Sequence, residues 1–405
     1  LISFLKVLGV FLLVVFLISR KWNLGLIMVL GAFILSLLLS MGVWVWIQLA
    51  FFSMISSATI SLVGALVLIQ FLEAVLRKTG LLEQMVVSLN HLVRDRRLVM
   101  LFLPAFLGFL PSAGGARFSA PLVAEAGRDL GFSPEKKAFI NYWFRHIMEP
   151  VVPVYPGIVL ATGILAIPLG ALLLYNAPIT IAAIAVGIPL AFAGSKLQPE
   201  AAQRQGGRGD LGRLLFSLAP VILVMVLVLA FQVDLVLSLL LVLLLLFLWA
   251  AIRYSWKGLD YWRLVRDSFS LNIVFLVIGV FIFKDTLTQS GAVQQLTLFF
   301  QSSHVPDLFL ITALPFFVGL LTGVTPAFVG VAFPLLLGIF GNPIHLSLVS
   351  LAYGWGLIGA FLSPVHLCLV LTREYFQADW GKFYRLLIPA CLCIGLVIFL
   401  MTLVW

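Results

Sequence analysis

Residues 98–127 read LVMLFLPAFLGFLPSAGGARFSAPLVAEAG. Two apolar arms flank the tip Pro111-Ser112-Ala113-Gly114-Gly115. Each arm has about 13 residues, roughly 20 Å of helix at 1.5 Å per residue, and a bilayer's hydrocarbon core is about 30 Å thick. Such a stretch enters a membrane and leaves on the side it came from. Residues 308–340, LFLITALPFFVGLLTGVTPAFVGVAFPLLLGIF, have the same plan, broken at Thr322-Gly323-Val324-Thr325-Pro326. Two re-entrant hairpins are therefore expected, and the rest of the fold is read around them.

The two stretches correspond. Leu103-Pro104, Gly108 and Leu110 recur 211 residues later as Leu314-Pro315, Gly319 and Leu321. At the same offset Gly80 meets Gly291, Tyr142 meets Tyr353, and Pro153-Val154 meets Pro364-Val365. A slip of two residues inside the hairpin pairs Pro121-Leu122 with Pro334-Leu335. Matching prolines and glycines at one offset point to a duplicated chain.

Composition sets the environment. Of 405 residues, 62% are hydrophobic and 10% charged, against roughly 45–50% and about 25% in soluble domains. A soluble fold would lack polar surface, and 34 Phe and 10 Trp exclude a disordered chain. An all-α polytopic membrane protein is expected. Full spans are read near 1–19, 23–41, 46–76, 137–166, 168–194, 214–232, 234–252, 267–289, 345–371 and 384–405. The first lacks a basic n-region and a small-x-small cleavage site and reads as a span rather than a signal peptide; the chain begins at Leu1, and a few upstream residues are expected before it.

Residues 1–194 form one repeat of five spans plus the hairpin, 195–213 a polar linker, and 214–405 the second repeat. Five is odd, so the second repeat should be inverted. With an extracytoplasmic N-terminus, loops 20–22, 77–97, 128–137, 195–213, 253–266 and 373–385 share one side and carry 21 of the 25 Lys and Arg. That is the cytoplasmic side by the positive-inside rule, which places both termini outside the cytoplasmic membrane. It also accounts for the net charge of +9 without nucleic acid.

The chemistry should lie where helices break, because irregular backbone at membrane depth needs protein or a watery cavity around it. Besides the hairpin tips, span 137–166 is broken at Glu149-Pro150-Val151-Val152-Pro153 and Pro156-Gly157, and its counterpart at Gly359 and Ser363-Pro364. Half-helix N-termini there suit an anion. Arg117, at the first tip, pairs either with an anionic substrate or with Glu125 or Glu149. Asn141, Arg145 and Glu149 stand at i, i+4 and i+8 on one helical face, so Arg145 and Glu149 are expected to neutralise one another. Glu149 is the first choice for a proton carrier and His366 the second titratable group, while His146 is expected to face elsewhere. Lys6, Glu73 and Lys284-Asp285 lie near span ends and carry no assigned role. Thr79–Asn90 and Ser290–Phe300 read as amphipathic interfacial helices. Cys368, Cys391 and Cys393 make no C-x-x-C pair and show no histidine at ligand spacing, so neither a disulfide, a metal nor a cofactor is expected.

Two inverted five-span repeats, each with a hairpin and a broken following helix, resemble the ion transporter superfamily: the gluconate permease, divalent-anion symporter, citrate–metal symporter and arsenite permease group. The hairpin Leu103-Pro104…Pro111-Ser112-Ala113-Gly114-Gly115-Ala116-Arg117-Phe118-Ser119-Ala120-Pro121-Leu122 resembles an uncharacterised integral-membrane branch of it. The resemblance implies a homodimeric elevator-type carrier. Its substrate would meet Ser112, Gly114, Gly115, Arg117 and Ser119 at one tip, Thr322, Gly323 and Thr325 at the other, and Val151, Val152 and Ser363 on the broken helices. Coupling would fall to Glu149, Asn141, Arg145 and His366. Dicarboxylate members carry Ser-Asn-Thr at both tips, whereas here Ser112-Ala113-Gly114 and Gly323-Val324-Thr325 stand there. The expectation is a secondary transporter for a small organic or inorganic anion, coupled to protons or sodium. The alternatives are a channel and a membrane-embedded enzyme acting on a lipid phosphate, for which no H-E-x-x-H, G-x-S-x-G or P-loop is present.

Overall fold

The computed structural model describes residues 2–20, 22–93, 95–109, 115–128, 130–193, 207–254, 258–302 and 305–404. Among them the chain forms twenty helices and no strand. In order they are α1 (Ile2–Ser19), α2 (Leu24–Leu38), α3 (Val43–Ile55), α4 (Ser57–Lys78), α5 (Leu81–Leu92), α6 (Arg96–Gly108), α7 (Ala116–Ala126), α8 (Pro134–His146), α9 (Pro156–Leu165) and α10 (Leu169–Phe192). There follow α11 (Arg208–Leu229), α12 (Leu235–Tyr254), α13 (Gly258–Ser268), α14 (Leu271–Gln289), α15 (Ala292–Ser302), α16 (Asp307–Thr322), α17 (Thr325–Leu336), α18 (Leu346–Leu362), α19 (Leu367–Phe376) and α20 (Trp380–Val404).

Among the described residues, seven stretches are long and apolar enough to cross a membrane: α4, α10, α11, α12, α14, the α18–α19 stretch Leu346–Phe376, and α20. That is consistent with a multi-pass membrane protein. On α12 one face, with Leu237, Leu244, Leu248 and Ile252, is exposed, and the other, with Ser238, Leu239, Val242 and Leu246, is buried. Both faces are apolar, so the exposed one suits lipid.

Helix starts recur along the chain. Those at Leu24, Leu81, Arg96, Pro156 and Leu169 have counterparts at Leu235, Ala292, Asp307, Leu367 and Trp380, each 211 residues further on. Left-handed residues recur likewise: Gly80 (φ 70°) with Gly291 (φ 71°), and Ala166 (φ 53°) with Gln377 (φ 52°). Only glycine adopts this conformation without strain, which is why Gly80 and Gly291 were readable as a pair and the other two were not.

The stretch 46–76 is not one span. It divides into α3 and α4 at Ser56, whose extended backbone (φ −62°, ψ 146°) ends one helix while its hydroxyl accepts from Thr59 N–H at 3.2 Å to cap the next. A serine N-cap is a strong local start signal, and here it overrides a continuous apolar run.

The helices pack as two groups. In one, α2 lies on α14, which also holds α3 and α4, while α12 packs on α4 and α11, and α5 on α11. In the other, the helix pairs α6–α7 and α16–α17 interlock with α8, α9, α18 and α19, backed by α10 and α20. The first arm of each pair packs on the first half of the interrupted helix that follows it, α6 on α8 and α16 on α18. The second arms cross over, α7 to α19 and α17 to α9.

Candidate functional site

The interruptions follow from local chemistry. Ser133 caps α8, accepting from Lys136 N–H at 3.3 Å, and Pro134 occupies its first turn. The helix ends at His146, residues 147–155 run as turns, and Pro156 begins α9. Ser363 ends α18 in an extended conformation ahead of Pro364, and α19 restarts after His366. Proline disfavours helical backbone before it, and its ring, which lacks an N–H, is accepted in a helix's first turn.

Broken helices leave carbonyls unsatisfied, and side chains from neighbouring helices accept the task of pairing them. Thr180 Oγ1 donates to Ile147 O at 2.8 Å and Asn176 Nδ2 to Pro150 O at 3.3 Å, both from α10. At the second break Tyr142 donates to Phe361 O at 3.0 Å and Tyr384 to Leu362 O at 2.9 Å. The non-helical backbone is thereby stabilised at the centre of the second group.

A buried polar cluster occupies that centre. Glu149, 5% exposed, places one carboxylate oxygen 2.5 Å from His146 Nδ1 and accepts from Thr325 Oγ1 at 2.9 Å with the other. Thr325 is the first residue of α17, so the hairpin tip meets the first broken helix directly. It is also packed against Gly157, where a β-carbon would collide with its methyl. Gly323 is left-handed (φ 62°) and seats against the second broken helix, where a β-carbon would lie 2.8 Å from His366 Cα and N and 2.9 Å from Ser363 Oγ. The rings of His146 and His366 are 4.8 Å apart, and Tyr142 packs on both, at 5.1 and 5.3 Å. Cys368 completes the group: ligand atoms of His146, His366 and Cys368 lie within 4.8 Å of one another.

Cavities lie at either end of α4. One of about 300 Å³ is lined by Arg145, Gly115 and Phe118, together with Glu73 and Arg77 of α4. Arg77 is paired with Glu73 at 2.7 Å and stacks over Phe118 at 5.2 Å. The other, about 790 Å³, is lined by Ser61 and Leu62 of α4, Val159 and Thr162 of α9, and Asp234. The turn carrying Glu149 lies in sequence between Arg145 at the first cavity and Val159 at the second.

A family model described as "Protein of unknown function (DUF401)" matches residues 2–404. The chain belongs to the DUF401 family. No curated protein matches it.

In this DUF401 chain the expected site residues fall into three sets. Glu149, Thr325, Gly323, Ser363 and His366 come together, with the buried Val152 and the half-buried Val151 in the same turn. Gly115 and Arg145 share the smaller cavity. Asn141 Nδ2 donates to Thr372 Oγ1 at 2.9 Å and to Ala116 O at 3.4 Å, joining α8 to α19 and α7. The hydroxyls of Thr322 and Ser119 turn onto their own helices, at Val318 O and Ala116 O. Ser112, Gly114, most of the 195–213 linker and the side chain of Arg117 lie outside the described residues. Glu125, one partner considered for Arg117, pairs with Arg128 at 2.9 Å.

Three expectations are overturned. Glu149 bonds His146 and Thr325, because α8 ends at His146 and helical i, i+4 spacing does not reach Glu149. His146 for the same reason faces this cluster. Cys368 does have histidine neighbours at ligand range; His366 stands two residues before it, in the extended N-cap of α19 rather than on the helix.

Proposed function

We propose that this protein is a secondary active transporter for a small anion, built as two inverted repeats and working by an elevator-type movement. The observation that carries the reading is the meeting of three chain breaks at one buried place: the α16–α17 tip touches Glu149 through Thr325 and His366 through Gly323. A scaffold has no use for non-helical, polar backbone inside an apolar bundle, since each unsatisfied group there costs several kcal/mol. A carrier does, because half-helix ends make a binding site that a hairpin can open and close.

Three further features support it. Helix starts and left-handed residues recur at one offset, as duplication requires. Cavities flank the interrupted α8–α9 segment at both ends of α4, as access from either side requires. The smaller is lined by Glu73, Glu83, Arg77 and Arg145; Arg77 is paired with Glu73, and Arg145, beside Gly115 at the N-cap of α7, is the group that would meet an anion there. In this reading the hairpins, the broken helices, α10 and α20 carry the substrate past the other group, driven by a proton or sodium gradient.

The test is uptake of radiolabelled small anions into proteoliposomes under imposed pH or sodium gradients. Concentrative, saturable uptake that falls at least tenfold in Arg145→Gln is expected. Unitary currents without saturation would establish a channel instead, and turnover of a lipid-linked phosphate an enzyme.

A further inference from the structure

The cluster beside Glu149 has a donor pattern that anion transport leaves unused. His146 Nε2 is buried and has no hydrogen-bond partner, while Nδ1 of the same ring faces the Glu149 carboxylate at 2.5 Å. A carboxylate only accepts, so in the neutral ring the proton sits on Nδ1 and Nε2 keeps a bare lone pair. The second ring repeats this. His366 Nδ1 lies 3.1 Å from Ala360 O, a carbonyl that also only accepts, so its Nε2 is basic too. Cys368 Sγ stands with one nitrogen of each ring inside a 4.8 Å circle, and the three residues are 7%, 8% and 7% exposed. Two histidines each donating one N–H to a carboxylate or backbone carbonyl, and leaving the other nitrogen bare, is the outer-shell arrangement of metal-bound imidazoles.

We infer that His146, His366 and Cys368 bind one divalent ion of the zinc type. Glu149 orients the first imidazole and the Ala360 carbonyl the second. The donor set is borderline to soft, two nitrogens and one thiolate, which disfavours magnesium and calcium. Charge agrees: the Cys368 thiolate and the Glu149 carboxylate offset a doubly positive ion in an apolar surround. On binding, the thiol S–H breaks, the sulfur–metal bond forms and the proton leaves to solvent. A tetrahedral zinc site puts ligand atoms about 3.4–3.6 Å apart, so the cluster tightens by about an ångström on filling. The ion would then clamp α8 to α19 across both chain breaks. The inference does not rest on the transport reading.

The experiment uses full-length protein in detergent, stripped with a chelator and titrated with Co²⁺. One Co²⁺ per chain is expected, with thiolate-to-cobalt charge-transfer absorption that vanishes in Cys368→Ser and persists in Cys391→Ser, whose buried thiol lies elsewhere on α20. His146→Gln and His366→Gln should each weaken binding at least tenfold. No such absorption in the unsubstituted protein, or its survival in Cys368→Ser, overturns the proposal. Should Cys368→Ser fail to fold, alkylation of Cys368 in a Cys391→Ser/Cys393→Ser background decides. Zn²⁺ should slow it at least tenfold, and an unchanged rate refutes the site. None of these readouts involves uptake, so they stand or fall apart from it.

Discussion

Replacing Gly323 with alanine tests whether the second hairpin tip is seated as described, and Gly291→Ala is its internal control. Both glycines are left-handed, at φ 62° and φ 71°, so both substitutions incur the cost of a β-carbon in that region, about 1–2 kcal/mol. They differ in surroundings. At Gly291 nothing lies within 4 Å of the added carbon, whereas at Gly323 it meets His366 Cα and N at 2.8 Å. Backbone cannot rotate aside as a side chain would, so the tip must retreat by about 0.7 Å to restore ordinary contact. Thr325 follows two residues later, and its 2.9 Å bond to Glu149 would open to about 3.6 Å, beyond hydrogen-bond range. Losing a bond to a charged group adds about 1.5–3 kcal/mol. Gly323→Ala should therefore cost about 2.5–5 kcal/mol and Gly291→Ala about 1–2. The assay is denaturant or thermal unfolding of both variants in the same detergent, alongside Thr325→Val. Thr325→Val should add little on top of Gly323→Ala, since the bond is already broken. Equal destabilisation by the two glycine substitutions would refute the reasoning.

Two other perturbations probe the packing. Asn141→Ala and Thr372→Val remove the two ends of one buried bond between α8 and α19, so the double variant should be less destabilised than the sum of the singles. A coupling of about 1 kcal/mol is expected, read by unfolding in detergent, and additivity would show that the bond contributes nothing. Gly330→Leu and Gly163→Leu thicken the contact between the two helix groups, where added β-carbons already lie 2.7 Å from Val280 Cγ2 and 2.9 Å from Leu62 Cδ2. Each should reduce the rate of uptake at least tenfold with a smaller change in half-saturation. Unaltered rates would separate this contact from any movement.

Much of the fold was legible because its breaks are written in proline and glycine. Pro111, Pro150, Pro153, Pro326 and Pro364 mark places where a helix cannot continue, and the helices end beside the ones that the structure describes. Ser56 was not legible: serine is tolerated inside a helix, and only its cap bond to Thr59 distinguishes an end from an interior. The site was read less completely. Spacing put Arg145 and Glu149 on one face only if α8 ran through both, and it stops between them. Conversely, residues two apart point about 200° away from each other on a helix, which separates His366 from Cys368. His366 is an extended N-cap (φ −62°, ψ 117°), and that rule does not apply to it.

The distribution of polar contacts bears on the proposed movement. Asn23–Asn272, Trp46–Thr286, Ser53–Asp285 and Tyr254–Thr79 O tie helices within the first group. Asn141–Thr372, Tyr142–Phe361 O, Thr180–Ile147 O, Ser350–Tyr175 O and Thr325–Glu149 tie helices within the second. Between the groups stand Gly163 against Leu62, Gly330 against Val280, and the Arg77 guanidinium over the Phe118 ring. Directional bonds hold a body rigid because they are lost when partners shift by an ångström. Dispersion contacts between small and branched residues are non-directional, and a new register replaces most of what the old one provided. Among the described residues these bonds lie within the groups, and the glycine and aliphatic contacts between them would lower the cost of sliding one past the other, with the Arg77–Phe118 contact to be broken in any such movement. The substrate-dependent step would then be confined to the α16–α17 tip, where Gly323 and Thr325 bind across two broken helices of the same group.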